Sequence, residues 1–370
     1  VQFTGLRNQG NTCYMNSLLQ SLHHLPEFRR LVYEIGTSGD VPAGSSIALE
    51  LQRIFYMLQH GVLAGVPAVG TELLTDAFGW GWREVNEQQD VQEFWHMLYD
   101  ALQTASSAER GAGGGSGARL ASLFEGRVLN YVRCTRVPFR SEREEIFCDL
   151  QMQVSGCRSL HDSFAQFARE QRLDGDNCYN TRDERYGRQE ARRGAAFKSL
   201  PPILQLHLKR FEYEPSTGAM HKLQQAFRFP TTLRLRKFMV RGDASPTPVY
   251  KLHAVLSHQG TASSGHYVSY VRPGNGNKWY KFDDTRVSEV PEHAAVVEQF
   301  GGEYGRPGGI FGFGEVPSAY MLTYVRQADG NAAGVETSGE ELPAVVREAF
   351  KQDLNLYDDI SRQWGSRPKS

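Results

Sequence analysis

GLRNQGNTCYMNSLLQSL, residues 5–22, joins a loop of small polar residues to an apolar helical stripe, and the join falls at Cys13. From Tyr14 onward Leu18, Leu22 and Leu25 recur at spacings of four and three, which predicts a helix with one apolar face and with Asn11 or Thr12 as its N-cap. A cysteine in the first helical turn meets unsatisfied backbone N–H groups and the positive end of the helix dipole, which favour thiolate over thiol. An isolated cysteine is more commonly a buried apolar residue. The Asn/Gly approach to Cys13 argues for chemistry instead.

A thiolate cleaves an amide only with a base, an orienting group and oxyanion donors. SSGHYVSYV, residues 263–271, sets His266 just after a glycine at the start of an alternating, strand-like run. Seventeen residues after His266, KWYKFDD closes a second such run with Asp283 and Asp284, and PGNG at 273–276 reads as the hairpin turn between the two. Antiparallel strands joined in this way can set a carboxylate beside an imidazole. A strand histidine is ordinarily packed or solvated and an Asp pair at a strand end ordinarily forms a turn, so the case rests on their combination with Cys13.

With these residues in view the chain resembles the ubiquitin-specific proteases, papain-like cysteine peptidases that remove ubiquitin from other proteins. The resemblance is carried by GLRNQGNTCYMNSLLQSL, DVQEF at 90–94, LPPILQLHLKRF at 200–211, GHYVSYV at 265–271, KWYKFDD at 278–284 and AYMLTYVR at 319–326, in the family's order. FGW at 78–80, SEREE at 141–145 and LDGDN at 173–177 are similar to the herpesvirus-associated type within it. The resemblance implies an α+β fold: a helical thumb at 1–125, mostly fingers at 126–235, and a palm at 236–326 holding His266 and Asp283. Residues 327–370 are left as a linker and a short C-terminal helix.

Carried onto this sequence, the resemblance makes Cys13 the nucleophile, His266 the general base and later acid, Asp283 the group that orients the imidazole, and Asn8 an oxyanion donor beside the backbone N–H of Cys13. Asp284 stands as an alternative to Asp283, because sequence does not separate neighbours on opposite faces of a strand. The substrate tail of the family carries two arginines before Gly-Gly. Asp90 and Glu93, three apart on a helix, match positions that face that tail, and Gly265 and Tyr267 are carried over with them as substrate-binding residues. A solvated helix face is the ordinary reading of such an acidic pair.

Composition bounds the remainder. Lysine plus arginine number 41 and aspartate plus glutamate 42, so no global basic field points to nucleic acid, and no apolar run approaches the roughly 20 residues of a membrane span. Five cysteines at irregular spacing argue against a disulfide framework and for a reducing compartment, cytoplasmic or nuclear. Val1 precedes the first motif by only a few residues, which predicts a catalytic domain within a longer parent chain. The fingers of many relatives hold zinc with two C-x-x-C pairs. Here Cys134 is followed three residues later by Val137, and Cys178 by Thr181, so no metal and no cofactor is expected.

Helical stripes are predicted at Ile47, Leu51, Phe55 and Leu58, and at Val91, Phe94, Trp95, Leu98 and Leu102. The second is led by Asn86 with Gln89 three residues on. A flexible insertion is read at 106–118, strands in GRVLNYVRCTRVPF, EIFCDLQMQV and ILQLHLKRF, and a last amphipathic helix through Val346, Phe350 and Leu354 behind Pro343. Two other functions fit parts of this pattern: a catalytically silent ubiquitin-binding module, and a lysosomal papain-type protease. Asn8, Cys13, His266 and Asp283 together oppose the first, and the cysteine usage opposes the second.

Overall fold

The computed structural model describes residues 3–37, 42–107, 116–216, 218–240, 248–262, 264–274, 276–305, 316–327, 342 and 344–365. Most of the helices come early in the chain. They are α1 (Cys13–His23), α2 (Pro26–Glu34), α3 (Ile47–His60), α4 (Glu72–Ala77), α5 (Trp82–Asn86), α6 (Val91–Ser107) and α7 (Ser116–Phe124). A short parallel pair, β1 (Gly5–Leu6) with β2 (Ala68–Val69), ties the segment before α1 to this layer. The predicted insertion at 106–118 falls outside the described residues between 108 and 115, and its end forms the start of α7.

Two sheets follow. The finger sheet has the order β4-β3-β9-β6, from β3 (Gly126–Cys134), β4 (Arg140–Phe147), β6 (Gln171–Leu173) and β9 (Ala191–Ser199). The palm sheet has eight strands in the order β17-β16-β15-β14-β18-β10-β5, with β13 paired to β14. Its members are β5 (Leu150–Gln153), β10 (Ile203–Lys209), β13 (Thr232–Arg234), β14 (Val249–Gly260), β15 (Gly265–Val271), β16 (Trp279–Asp283), β17 (Arg286–Val290) and β18 (Ser318–Arg326). Two hairpins, β7 (Tyr179–Asn180) with β8 (Arg188–Gln189) and β11 (Phe211–Glu214) with β12 (Ala219–Lys222), complete the strands. Helix α8 (Leu160–Phe167) packs beside β5, and α9 (Glu292–Val296) beside β16.

The palm sheet is covered on both faces. Ala254 and Leu256 of β14, Tyr267 of β15 and Met321 of β18 enter the core shared with the helices, while Leu252, Val255, Tyr270 and Leu322 enter a second core with Phe164, Phe227 and Trp279. Strands covered twice have no solvent face, and β10 is buried from Ile203 to Leu208 with Gln205 and His207 included.

Three expectations are corrected. EIFCDLQMQV is not one strand: the chain leaves the finger sheet after Phe147 and enters the palm sheet at Leu150, turning at Cys148–Asp149. The charged half faces water and the apolar half pairs with β10. Helix α6 is not led by Asn86, which ends α5 and donates to the Trp82 carbonyl; Asp90 caps it, its Oδ1 accepting from Gln92 N–H at 2.6 Å. Helix α1 is amphipathic in sequence yet buried all round. Among its polar residues, Asn16 Nδ2 donates to Arg7 O and Gln20 Nε2 donates to Thr4 O.

The last helix, α10 (Ala344–Gly365), returns to α3 rather than to the palm. Phe350 meets Tyr56 in a tilted ring contact, and Arg53 Nε donates to Asp353 Oδ2 at 2.8 Å. The predicted linker at 328–341 and Pro343 lie outside the described residues.

Candidate active site

Cys13 begins α1 and is 2% exposed. Thr12 takes the N-cap position without a side-chain cap, because its hydroxyl accepts from Gln9 N–H at 3.0 Å, while the Asn11 amide is spent on the Asn86 carbonyl. The first-turn N–H groups are therefore left for whatever approaches the sulfur. Across from α1 runs β15, whose Tyr267 N–H points at Cys13 Sγ at 3.4 Å.

His266 and Asp283 come together through sheet register. Ser269 pairs with Phe282 and Tyr270 with Lys281, so His266 and Asp283 are diagonal neighbours on one face of β15 and β16. His266 Nε2 lies 2.7 Å from Asp283 Oδ1, and the other carboxylate oxygen accepts from Lys281 Nζ at 2.8 Å. The imidazole is held up to about 10 by the Asp283 hydrogen bond first and the Cys13 thiol second, against its burial. The same imidazole, together with Lys281, holds the Asp283 carboxyl well below the usual carboxylate range. Lys281 was missed in the sequence, although it sits two residues before Asp283 and hence on the same strand face.

Asp284 does something different from its neighbour. It is in the left-handed region at φ 50°, just past the end of β16. Its carboxylate accepts from Asn8 Nδ2 and from Asn16 Nδ2, both at 2.9 Å, and its carbonyl accepts from Leu6 N–H at 3.0 Å. One aspartate thus holds the strand histidine and the next holds the loop that leads into Cys13. Gly5 permits this crossing, since a Cβ there would lie 2.5 Å from the Asp284 carbonyl oxygen. Asn8 is exposed, and its Oδ1 accepts from the N–H groups of Gly10 and Thr12, which fixes the amide with one Nδ2 hydrogen on Asp284 and the second unassigned.

The acidic pair of the sequence is not two equivalent carboxylates. Asp90 is consumed as the α6 cap and as acceptor for the Tyr320 hydroxyl, whereas Glu93 is exposed on a groove lined by Trp80, Gln89 and Met97. Gly265 is required by what lies behind it: a Cβ would fall 2.2 Å from His258 Nε2. Tyr267 turns its ring into the core and is 2% exposed. In the fingers, Cys134 ends β3 and Cys178 follows the short turn at Gly175–Asn177, and His161 packs on Phe238. No helix among the described residues is long and apolar enough to cross a membrane.

The division of labour between the aspartates is testable. Asp283→Asn is expected to lower kcat by roughly 10²–10⁴-fold, through lost orientation and lost stabilisation of the imidazolium. It should also move the alkaline limb of kcat/KM from about 10 toward 6.5, because the largest cause of the raised value is removed. Asp284→Asn retains an oxygen acceptor, so it should cost less and leave that limb in place. A larger loss or a shifted limb in Asp284→Asn would reverse the assignment.

Residues 4–324 match the family model described as ubiquitin carboxyl-terminal hydrolase. The chain belongs to the ubiquitin carboxyl-terminal hydrolase family. It is 38% identical over 97% of its length to ubiquitin C-terminal hydrolase 12 of Arabidopsis thaliana and 37% identical over 98% to ubiquitin carboxyl-terminal hydrolase 7 of Drosophila melanogaster. Those matches take in 32% and 30% of the relatives, so the chain spans about a third of the length of the curated relatives it matches. A chain of the SAGA DUB module bound to monoubiquitin superposes with a TM-score of 0.72 at 24% identity, covering 88% of this chain and 69% of that one. A chain of the same module bound to ubiquitin aldehyde gives 0.70 at 22%, over 88% and 70%. At those identities the likeness establishes the α+β fold.

Proposed function

We propose that this chain is a deubiquitinating cysteine protease that hydrolyses the peptide or isopeptide bond after the C-terminal Gly-Gly of ubiquitin, within a longer cytoplasmic or nuclear protein. The observation that carries the reading is one imidazole, His266, set between the Asp283 carboxylate and the Cys13 thiol at the start of α1. In the first half-reaction His266 takes the thiol proton as the Cys13 sulfur attacks the carbonyl carbon, and the tetrahedral oxyanion takes hydrogen bonds from the Cys13 backbone N–H and the second Asn8 amide hydrogen. His266 then gives its proton to the departing amine, leaving a thioester. In the second half-reaction His266 takes a proton from water as the water attacks that thioester, and returns it to the sulfur.

Support for a ubiquitin tail comes from the groove beside Glu93. An exposed carboxylate flanked by Trp80 and Met97 suits an arginine-bearing extended segment, with Asp90 serving to fix the start of α6 rather than to meet the tail. Gly265, Tyr267 and the wall of β15 are proposed to border the Gly-Gly channel. The FGW, SEREE and LDGDN stretches favour the herpesvirus-associated type.

A second thiol, Cys148, also has a histidine and an aspartate nearby, His96 and Asp149. It lies in an interstrand turn without a helix start beneath it, which favours Cys13. Two measurements test the reading. A ubiquitin C-terminal fluorogenic amide should be turned over, and a ubiquitin carrying a C-terminal electrophile should label Cys13. Tight ubiquitin binding without turnover would make the chain a silent binding module, and label on Cys148 would move the nucleophile.

A further inference from the structure

The turn at Cys148–Asp149, where the chain passes from finger sheet to palm sheet, brings together three side chains that the proposed hydrolysis does not use. His96 Nε2 on α6 lies 2.6 Å from Asp149 Oδ1, and Cys148 Sγ lies 4.0 Å from the same oxygen. The three ligand atoms are all within 4.8 Å of one another. We propose that His96, Cys148 and Asp149 bind one zinc(II) ion through nitrogen, sulfur and carboxylate oxygen, and that the ion clamps α6 to β5, the edge strand of the palm sheet.

The donor set selects the metal. A thiolate with an imidazole excludes the hard ions that prefer all-oxygen shells, and zinc accepts this mixture in a tetrahedron whose fourth place is filled by water. The geometry leaves such a place, because the Asp149 side chain is 7% exposed while His96 is 47% exposed on the outer side. The carboxylate is already oriented from behind. Gln92 Nε2 donates to Asp149 Oδ2, and Gln92 Oε1 accepts from Gln151 Nε2 at 3.2 Å, so α6 and β5 meet through the partners that an outer shell would supply. The site is separate in its residues from the vestigial finger cysteines Cys134 and Cys178.

The test uses Cys13→Ala protein, so that the thiol beside His266 and Asp283 cannot contribute. Titration with cobalt(II) should saturate at one equivalent and give a sulfur-to-cobalt charge-transfer band, and zinc(II) should displace the cobalt. Cys148→Ser or His96→Ala should weaken binding by at least about 100-fold and remove the band, and Gln92→Ala should weaken it by about 10- to 100-fold. Zinc should also raise the melting temperature of the parent but not of Cys148→Ser. Where a substitution disturbs folding, the unsubstituted thiol still decides: zinc should slow alkylation of Cys148 by iodoacetamide at least tenfold, read by mass spectrometry. A charge-transfer band that survives Cys148→Ser overturns the proposal, as does a parent with no band and a Cys148 unprotected by zinc.

Discussion

Replacing Cys13 by alanine is expected to reduce turnover of a ubiquitin C-terminal amide by at least about 10⁴-fold while leaving the ubiquitin Kd within about threefold. The reason for the split is geometric. Cys13 is 2% exposed and its sulfur faces the Tyr267 N–H, so it would offer a substrate a reacting atom and almost no contact area. Ubiquitin would be held by surface elsewhere, which the substitution does not touch. Turnover measured beside binding by calorimetry checks both halves. Residual activity within about tenfold of the parent, or a Kd raised in step with the lost rate, would place the nucleophile at another cysteine. Cys148, the other thiol with a His/Asp pair, would be examined next.

The largest loss of stability is expected at Arg210, which lies far from this chemistry in sequence and is fully buried. Its guanidinium donates to four backbone carbonyls: Nε to Ala319 at 2.8 Å, Nη1 to Leu223 at 2.8 Å and Gln225 at 3.0 Å, and Nη2 to Phe300 at 3.0 Å. Burial alone pulls the group down to about 10. Four acceptors at a corner between β10, β18 and two loops match the planar fork of an arginine and cannot be reached by the three donors of one ammonium. Arg210→Met should cost about 3–5 kcal/mol, since the carbonyls keep their burial and lose their partner. Arg210→Lys should recover only part of it. Urea unfolding monitored by tryptophan fluorescence gives the midpoint shift, and a loss below about 1 kcal/mol for Arg210→Met would show the carbonyls to be met by water.

The parts of the site that local pattern encodes were legible in the sequence. A cysteine at a loop-to-helix join, a glycine-led histidine strand and a strand ending in Asp-Asp each carry their own signature, and Cys13, His266 and Asp283 stand close together in the fold. What periodicity does not encode is the partner of an element. EIFCDLQMQV has strand character throughout, and nothing within it says that its halves pair in different sheets. The cap of α6 was misplaced for a similar reason: Asn86 with Gln89 makes a capping signature as good as any, yet a one-turn helix before it takes up Asn86 and leaves Asp90 to do the capping. Asp284 accepting from Asn8 and Asn16 spans more than 260 residues of chain, a separation at which only the assembled sheet reveals contact. His96 and Cys148 are joined in the same way, by a turn whose position the alternation of charges did not mark.

Strand β15 has to satisfy three demands within two consecutive residues: the His266 ring goes toward the cleft, the Tyr267 ring goes into the core, and the Tyr267 N–H goes to the sulfur. Because side chains alternate with a period of two, sliding this strand by a single step against β14 would exchange the fates of the two rings, presenting a phenol to the substrate and burying an imidazole. Gly260 opposite Gly265 terminates the ladder at a point where only side-chain-free residues pass, with a Cβ on Gly260 falling 2.4 Å from the Gly265 Cα. The pair acts as a stop that lets the hairpin close in one alignment, and bulk added there would leave Cys13, His266 and Asp283 in the sequence while turning Tyr267 instead of His266 toward Asp283.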